Sequence, residues 1–214
     1  NIAHGETMAA GAMFTMLFTW WLQSMGIGLG PLPTALLALP FGIAASMVLC
    51  LVTDKAVYGY YRRVKATPAI YIIVSVGVMF VYNGLIRFVV GPQDRTMNDG
   101  QRFIVKARDF KEATGLNEGL SIKTSQAVSV GCAFVAVALL FWFLNRTRTG
   151  KSMRAYSDNE DLALLSGINP ERVVLIAWLI TAVLATLAGT LYGLDKSFRP
   201  FVYMQLLLPI FAAA

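Results

Sequence analysis

The sequence predicts an all-α protein, a polytopic bundle of transmembrane helices with a short helix on the cytoplasmic side. Of its 214 residues, 57% are hydrophobic and 14% are charged, whereas charged residues make up about a quarter of an ordinary soluble domain. The charged residues are gathered into a few blocks, and the long stretches between the blocks contain almost none. This distribution indicates a membrane protein, because charge is excluded from the hydrocarbon core.

Five stretches are long enough to cross a bilayer, since a span needs about 20 mostly apolar residues whose backbone groups bond within the helix. They run roughly Thr7–Ser24, Leu32–Thr53, Pro68–Val90, Gln126–Asn145 and Val173–Leu194, and a sixth begins near Tyr203. In the fifth stretch Ala185, Gly189 and Gly193 recur every four residues, which predicts close packing against another helix. Residues 1–214 are therefore predicted to form a single transmembrane domain, incomplete at both ends.

The loop Asp54–Thr67 sets the predicted orientation. Four basic residues there face one acidic residue, and this imbalance keeps a loop in the cytoplasm. Counting spans from this loop places residues 146–172 in the cytoplasm and residues 91–125 in an outer loop. A short mixed run in the outer loop, Arg102–Phe110, lies between turn signals and is predicted to be extended.

The same sequence disfavours several other functions. The net charge of +6 does not indicate nucleic-acid binding, because the basic residues lie at the ends of apolar stretches, where they set topology. Cys50 and Cys132 lie inside apolar stretches and are interpreted as small buried residues. Gly150-Lys151-Ser152 resembles the end of a phosphate-binding loop, but Asn145 occupies the position of the first glycine and no strand precedes it. We therefore expect no cofactor on this chain, and we expect any ATP to bind on another chain.

The cytoplasmic loop is predicted to contain one short helix with defined ends. Ser157 and Glu160 have the spacing of a capping box at its start, and Gly167 supplies a left-handed residue at its end. Asn169 and Pro170 then begin the next span as its cap and first helical residue. Four residues form an apolar patch on a loop that otherwise faces water: Leu162, Ala163, Leu165 and Ile168. Such a patch predicts either a docking partner or packing on the membrane surface and the span ends.

Three stretches together resemble one family. They are Gly150-x-x-x-Arg154-Ala155-x-x-x-Asn159-x-x-x-Ala163-x-x-x-Gly167-Ile168-Asn169, then Asn1-Ile-Ala-His4-Gly5-Glu6, and the region from Ala188-Gly189 through Arg199-Pro200 to Phe211-Ala-Ala-Ala. In order and spacing they resemble the branched-chain amino acid permeases of ABC importers. The chain departs from the family pattern at Ile2, where phenylalanine is usual, and in the charged segment Asp195–Phe198.

The resemblance implies that the cytoplasmic loop carries a coupling helix, which docks into a groove on an ATPase subunit. The residues that it implicates in ATPase coupling are Gly150, Arg154, Ala155, Asn159, Ala163, Gly167 and Ile168. It also implies one further span before Asn1 and two or three after Ala214.

The implied protein is a transport subunit, not an enzyme, in the bacterial cytoplasmic (inner) membrane, which it crosses several times. Its implied partners are two ATP-binding cassette subunits, a second permease subunit, an extracytoplasmic substrate-binding protein, the amino-acid substrate and the lipid bilayer. A permease for simple sugars is one alternative, although the segment Asn1–Glu6 favours amino acids. An ion-coupled secondary transporter is another, but it would need charged or polar ion sites near the membrane midplane, and these spans are almost free of such sites.

The first six residues place His4 and Glu6 beside a glycine at the start of a span. A zinc site is excluded because it needs three or four ligands and His4 is the only histidine. Two interpretations stay open: polar residues that cap a helix start, or a broken helix that lines the transport path and meets an amino-acid zwitterion. The second interpretation assigns Asn1, His4 and Glu6 to that path. Asn83 and Arg87 are also assigned to this path. The alternative for Arg87 is that its side chain reaches the membrane interface.

Overall fold

The computed structural model describes residues 2–97, 103–105 and 121–213. Within these ranges the chain forms helices α1 His4–Ser24, α2 Ala35–Thr53, α3 Gly59–Arg63, α4 Pro68–Val90, α5 Thr124–Arg146, α6 Arg148–Asp158, α7 Glu160–Leu165, α8 Pro170–Lys196, α9 Pro200–Gln205 and α10 Leu207–Ala213. A π-helical turn, Asp54–Tyr58, joins α2 to α3. Strands β1 Phe103–Val105 and β2 Ile122–Lys123 pair in antiparallel fashion. The predicted all-α bundle is confirmed, while Asn1 and most of the run predicted to be extended, 102–110, lie outside the described residues.

Four helical segments of the described chain are long and apolar enough to cross a membrane: Ala35–Arg63, Pro68–Val90, Thr124–Arg146 and Pro170–Lys196. They correspond to four of the five predicted spans. The remaining prediction, Thr7–Ser24, matches α1 in extent, but α1 does not reach the hydropathy of the other four. The physical reason is that α1 contains threonines and glycines that face neighbouring helices, and such contacts need no lipid-compatible surface.

α1 lies at the centre of the bundle. Every residue from Gly5 to Met13 is buried, and a helix that is buried on all sides must be surrounded by other elements. Its neighbours are α2, α8, α4 and α9. α5 shows the opposite pattern, because its only buried residues are Thr124 and Ser125, at its start.

Small residues allow α1, α2 and α8 to approach closely. A β-carbon at Gly42 of α2 would overlap the side chain of Thr15, and one at Gly189 of α8 would overlap the main chain of Met8. Thr190 of α8 donates a hydrogen bond of 3.2 Å to the hydroxyl oxygen of Thr15. The predicted small-residue face of α8 is therefore confirmed as a helix-packing face.

The α2 helix does not end at the π turn but continues through it into α3. Arg62 bridges the wide turn by donating hydrogen bonds to both carboxylate oxygens of Asp54, the second at 2.9 Å. Asp54 is buried, so this bidentate pairing supplies the partner that a buried charge needs.

The predicted outer side is held together by contacts between the segments that follow α4 and α8. Arg95 and Phe198 exchange two backbone hydrogen bonds, of 3.0 Å and 2.7 Å. The guanidinium of Arg95 also lies 5.7 Å from the ring centroid of Trp20, near the end of α1. Three helices are thus connected at this end of the bundle.

Candidate functional site

The first turn of α1 lies inside the bundle and not at the level where the other spans begin. The backbone of Tyr203 in α9 packs against Gly5, so closely that a β-carbon at Gly5 would overlap it. Glu6 contacts Asn83, which stands seven residues (83 to 90) before the end of α4. At 1.5 Å per residue Asn83 lies about 10 Å from the C-terminal end of α4, on the predicted outer side. The position favours a helix that begins within the bundle over one that begins at the predicted cytoplasmic surface.

Glu6 is the charged residue at the centre of this region. It is 1% exposed, and its Oε1 atom accepts a hydrogen bond of 2.8 Å from Nδ2 of Asn83. Its Oε2 atom is buried without a hydrogen-bond partner among the described residues. Arg87, one turn further along α4, is exposed and acts on Glu6 electrostatically. The structure therefore brings together two residues, Glu6 and Asn83, that were predicted separately to line the transport path.

His4 occupies the first position of α1 and is half-buried. Among the described residues, no side-chain cap bond is made at the start of α1, and the Glu6 carboxylate bonds to Asn83 of another helix, so Glu6 does not act as a cap. Glu6 instead extends sideways to α4. The predicted role of Asn1 falls outside the described residues.

Two buried hydroxyl groups near this region were missed from the sequence. The Tyr203 hydroxyl donates a hydrogen bond of 2.9 Å to the carbonyl of Gly189, and Thr15 bonds both to Thr190 and to the carbonyl of Gly11 in its own helix. The spacing of Thr15 and other threonines along α1 was an available signal for a polar helix surface. Nothing in the sequence indicated that Tyr203 folds back onto α8.

The second candidate region is the predicted cytoplasmic loop, residues 146–172, which begins with a close turn between α5 and α6. The Thr147 hydroxyl donates to the carbonyl of Phe143 at 2.7 Å and accepts from the amide of Gly150 at 3.0 Å. Gly150 is buried, and a β-carbon there would overlap the main chain of Phe143 and Leu144. Glycine is therefore required for α6 to pack this closely on the end of α5.

The loop contains two helices where one was predicted. α6 ends at Asp158, and Asn159 adopts an extended conformation before α7 begins. Its side-chain oxygen accepts a hydrogen bond of 3.0 Å from the amide of Leu162, so Asn159 caps α7. The predicted capping box is wrong because Ser157 is already part of α6, and the Glu160 carboxylate accepts instead from the Tyr156 hydroxyl at 2.6 Å.

Two side-chain hydrogen bonds fix the orientation of α6. Arg154 donates to the side-chain oxygen of Asn145, on α5, at 2.9 Å. The bond from Tyr156 to Glu160 connects α6 to α7, and it raises the pKa of Tyr156 to about 12, because the neutral phenol is the donor. The two helices are consequently tied to each other and to the preceding span.

Gly167 ends α7 as predicted. Its φ of 80° is left-handed, its amide bonds to the carbonyl of Leu164, and the amide of Ile168 bonds to the carbonyl of Ala163, both at 3.0 Å. This pair of bonds is a Schellman motif. The predicted cap of α8 is also confirmed, since the Asn169 side chain accepts from two amides of that helix.

α7 presents three exposed leucines, Leu162, Leu164 and Leu165, with exposed fractions of 61%, 43% and 85%. Ala163 is only 3% exposed, so its predicted place in the exposed apolar patch is wrong; its side chain packs inward. Ile168 is half-buried. Five of the predicted coupling residues thus shape the loop, namely Gly150, Arg154, Asn159, Ala163 and Gly167, while Ala155 is exposed on α6.

Comparisons with known proteins identify a family and several individual relatives. The family model described as the permease component of branched-chain amino acid transport systems matches residues 1–214. The chain is 28% identical over 203 residues to the high-affinity branched-chain amino acid transport system permease protein LivH of Escherichia coli (strain K12), covering 90% of this chain and 60% of the relative. It is 25% identical to the corresponding Pseudomonas aeruginosa protein BraD, covering 91% of this chain and 61% of BraD.

A relative of different name is the autoinducer 2 import system permease protein LsrC of Yersinia pseudotuberculosis, 25% identical over 75% of this chain and 42% of the relative. The chain spans about three fifths of the length of the curated LivH and BraD relatives. No solved structure matches it.

Proposed function

Because this chain belongs to the family of branched-chain amino acid transport system permease components, we propose that it is the membrane-spanning permease subunit of an ATP-driven importer for branched-chain or related amino acids. In this proposal it crosses a bacterial inner membrane several times. ATP hydrolysis takes place on two partner ATPase subunits, a second permease subunit completes the pathway, and a binding protein delivers the amino acid from outside.

One observation carries the coupling part of the proposal. The α6–α7 pair is a fixed projection, closed by Thr147 at its start and by the Gly167 turn at its end, and it exposes the α7 leucines on its surface. Exposed apolar groups on a fixed support are what a partner surface needs for docking, whereas a mobile loop would lose conformational entropy on binding.

The docked α6–α7 pair can couple ATP hydrolysis to transport only if its interaction free energy differs between the two states of the ATPase. Closure of the ATPase subunits on ATP then moves α6 and α7, and with them the ends of α5 and α8 to which they are joined. Hydrolysis releases this arrangement. The substrate path in this scheme lies along α1, with Asn1, His4, Glu6 and Asn83 as its polar residues.

The second candidate function is the import of a solute that is not an amino acid. One observation favours it, namely the likeness to a permease named for autoinducer 2 import. The two functions differ in the solute and share the coupling mechanism.

The test is reconstitution of the full complex, with its cognate binding protein, in proteoliposomes. We expect ATP-driven uptake of leucine, isoleucine or valine and none of ribose. Uptake of ribose or autoinducer 2 in place of the amino acids would favour the second candidate, and ATP-independent uptake would refute an ATP-driven importer.

A glycine pair tests the coupling loop within the same assay. Gly167 and Gly26 both have left-handed φ values, 80° and 73°, with open space around the position of a β-carbon. Alanine costs about 1–2 kcal/mol in this conformation, which corresponds to roughly a 5- to 30-fold change. We expect Gly167→Ala to lower ATP-driven uptake by such a factor, whereas Gly26→Ala, in the outer turn, leaves it within about twofold. Equal uptake by the two variants would contradict coupling through this loop.

A further inference from the structure

We propose that the Glu6 carboxylate is the group that receives the ammonium group of the transported amino acid within the bundle, and that Asn83 holds it in position. This inference rests on the proposed function. It concerns a residue pair that the coupling argument does not use.

The first step is that Glu6 lacks a full set of partners. It is 1% exposed, and only Oε1 is satisfied, by the amide of Asn83 at 2.8 Å. A buried carboxylate oxygen without a donor is costly, so such groups are paired or have a function. Among the described residues, Oε2 is therefore the one buried carboxylate oxygen without a hydrogen-bond partner.

The second step is that the missing donor is best matched by an ammonium group. An ionised carboxylate accepts hydrogen bonds and gains most from a charged donor. Arg87 is exposed on α4 and makes no hydrogen bond to Oε2, so its positive charge acts from a distance. An amino acid brings a compact ammonium with three donors, which suits a single oxygen in a confined space.

The third step is the position of the pair. Glu6 stands on the first turn of α1, whose early backbone amides lack intrahelical acceptors. Such amides favour an anionic group, so a zwitterion finds acceptors for its ammonium and donors for its carboxylate on the same turn. Glu6 is buried and bonded to α4, and its neighbour Gly5 is packed against α9, so access to Oε2 requires α1 to separate from one of these helices during the transport cycle.

The test uses the reconstituted complex with Glu6→Gln, which keeps the size of the side chain and an acceptor for Asn83 but removes the charge. Hydrogen bonds to charged groups are worth about 1.5–3 kcal/mol, so we expect uptake to fall about 10- to 100-fold. Binding-protein-stimulated ATP hydrolysis should continue, so that more ATP is consumed per amino acid imported. Asn83→Ala should give a smaller fall in the same direction.

Thr186→Val is the matched control, because Thr186 is also fully buried with an unpartnered oxygen but carries no charge. We expect its uptake to match the wild type. A thermal melt of each purified assembly distinguishes loss of transport from loss of folding. If the Glu6→Gln complex fails to assemble, the uptake rate of Asn83→Ala is the test.

The outcomes separate this inference from the proposed function. If the wild type imports amino acids and both Glu6→Gln and Asn83→Ala import them within twofold of the wild-type rate, the inference is wrong and the proposed function stands. If the wild type imports only a solute without an ammonium group, both the inference about Glu6 and the proposed import of amino acids are wrong. A defect in Thr186→Val as large as that in Glu6→Gln would also overturn the inference, since any disturbance of the buried polar core would then suffice.

Discussion

The hydroxyl of Tyr203 donates a hydrogen bond of 2.9 Å to the carbonyl oxygen of Gly189, and so fastens α9 to the span that precedes it. Tyr203 is fully buried, and its ring lies against those of Tyr192 and Phe198, with centroids 5.6 Å and 5.4 Å away. The helix that follows the outer end of α8 is thereby folded back into the bundle beside α1.

Tyr203→Phe should destabilise the protein while keeping its ring contacts. The substitution removes the hydroxyl and leaves the buried Gly189 carbonyl with one partner fewer, at a cost of about 1 kcal/mol. We expect a lower melting temperature in detergent by fluorescence-detected size exclusion. Tyr192→Phe is the control, since the Tyr192 hydroxyl makes no hydrogen bond within the described residues; an equal drop in both variants would show that the bond is not the cause.

Gly189→Ala should be more destabilising than the same substitution at Gly84. A β-carbon at Gly189 overlaps the main chain of Met8, whereas one at Gly84 meets nothing within 4 Å. Overpacking typically costs about 1–3 kcal/mol, while alanine in an unobstructed helix is favoured over glycine by roughly 1 kcal/mol. The melting temperature should therefore fall for Gly189→Ala and rise for Gly84→Ala. If both variants shifted the melting temperature in the same direction, close packing of α1 against α8 would not be what makes Gly189→Ala destabilising.

Asn159→Ala should loosen α7, and Ser157→Ala should not. Loss of a side-chain cap costs about 1 kcal/mol, which would appear as faster amide hydrogen exchange across 160–165. Ser157 lies inside α6, and the cap of α7 is Asn159. If Ser157→Ala accelerated exchange in α7 and Asn159→Ala did not, the result would contradict Asn159 as the cap and support the capping box of Ser157 and Glu160.

The pH dependence of Tyr156 follows from its hydrogen bond to Glu160. Because the folded pKa of about 12 lies above the ordinary value near 10, the bond stabilises the loop fully below about pH 10. Its contribution is lost as the pH rises toward 12. Glu160→Gln should bring the pKa of Tyr156 back toward its ordinary value, as measured by NMR titration of labelled tyrosine with Tyr156→Phe for assignment. A pKa unchanged by Glu160→Gln would show that another cause raises it.

Local signals predicted most of the fold. The length of the apolar stretches predicted the four spans. Gly167, Asn169 and Pro170 were predicted correctly because the turns that they form depend on hydrogen bonds between residues close in sequence. The predicted capping box is wrong because Ser157 lies within a second helix, α6, although Ser157 and Glu160 have the sequence spacing of a capping box. The depth of α1 was not predictable from local signals, since it depends on contacts between residues such as Glu6 and Asn83, which are 77 positions apart.

The long segment Ala35–Arg63 has a mechanical consequence. Its 29 residues at 1.5 Å each extend about 43 Å, whereas the hydrocarbon core is about 30 Å thick. The excess lies at the end that carries Arg62 and Arg63, because charged side chains are excluded from the hydrocarbon core. Because the Asp54–Arg62 pair bridges the π turn, the segment continues from α2 into α3 without a loop. A displacement of its Arg62 end is therefore carried along one helical segment to the contacts of α2 with the central helix α1.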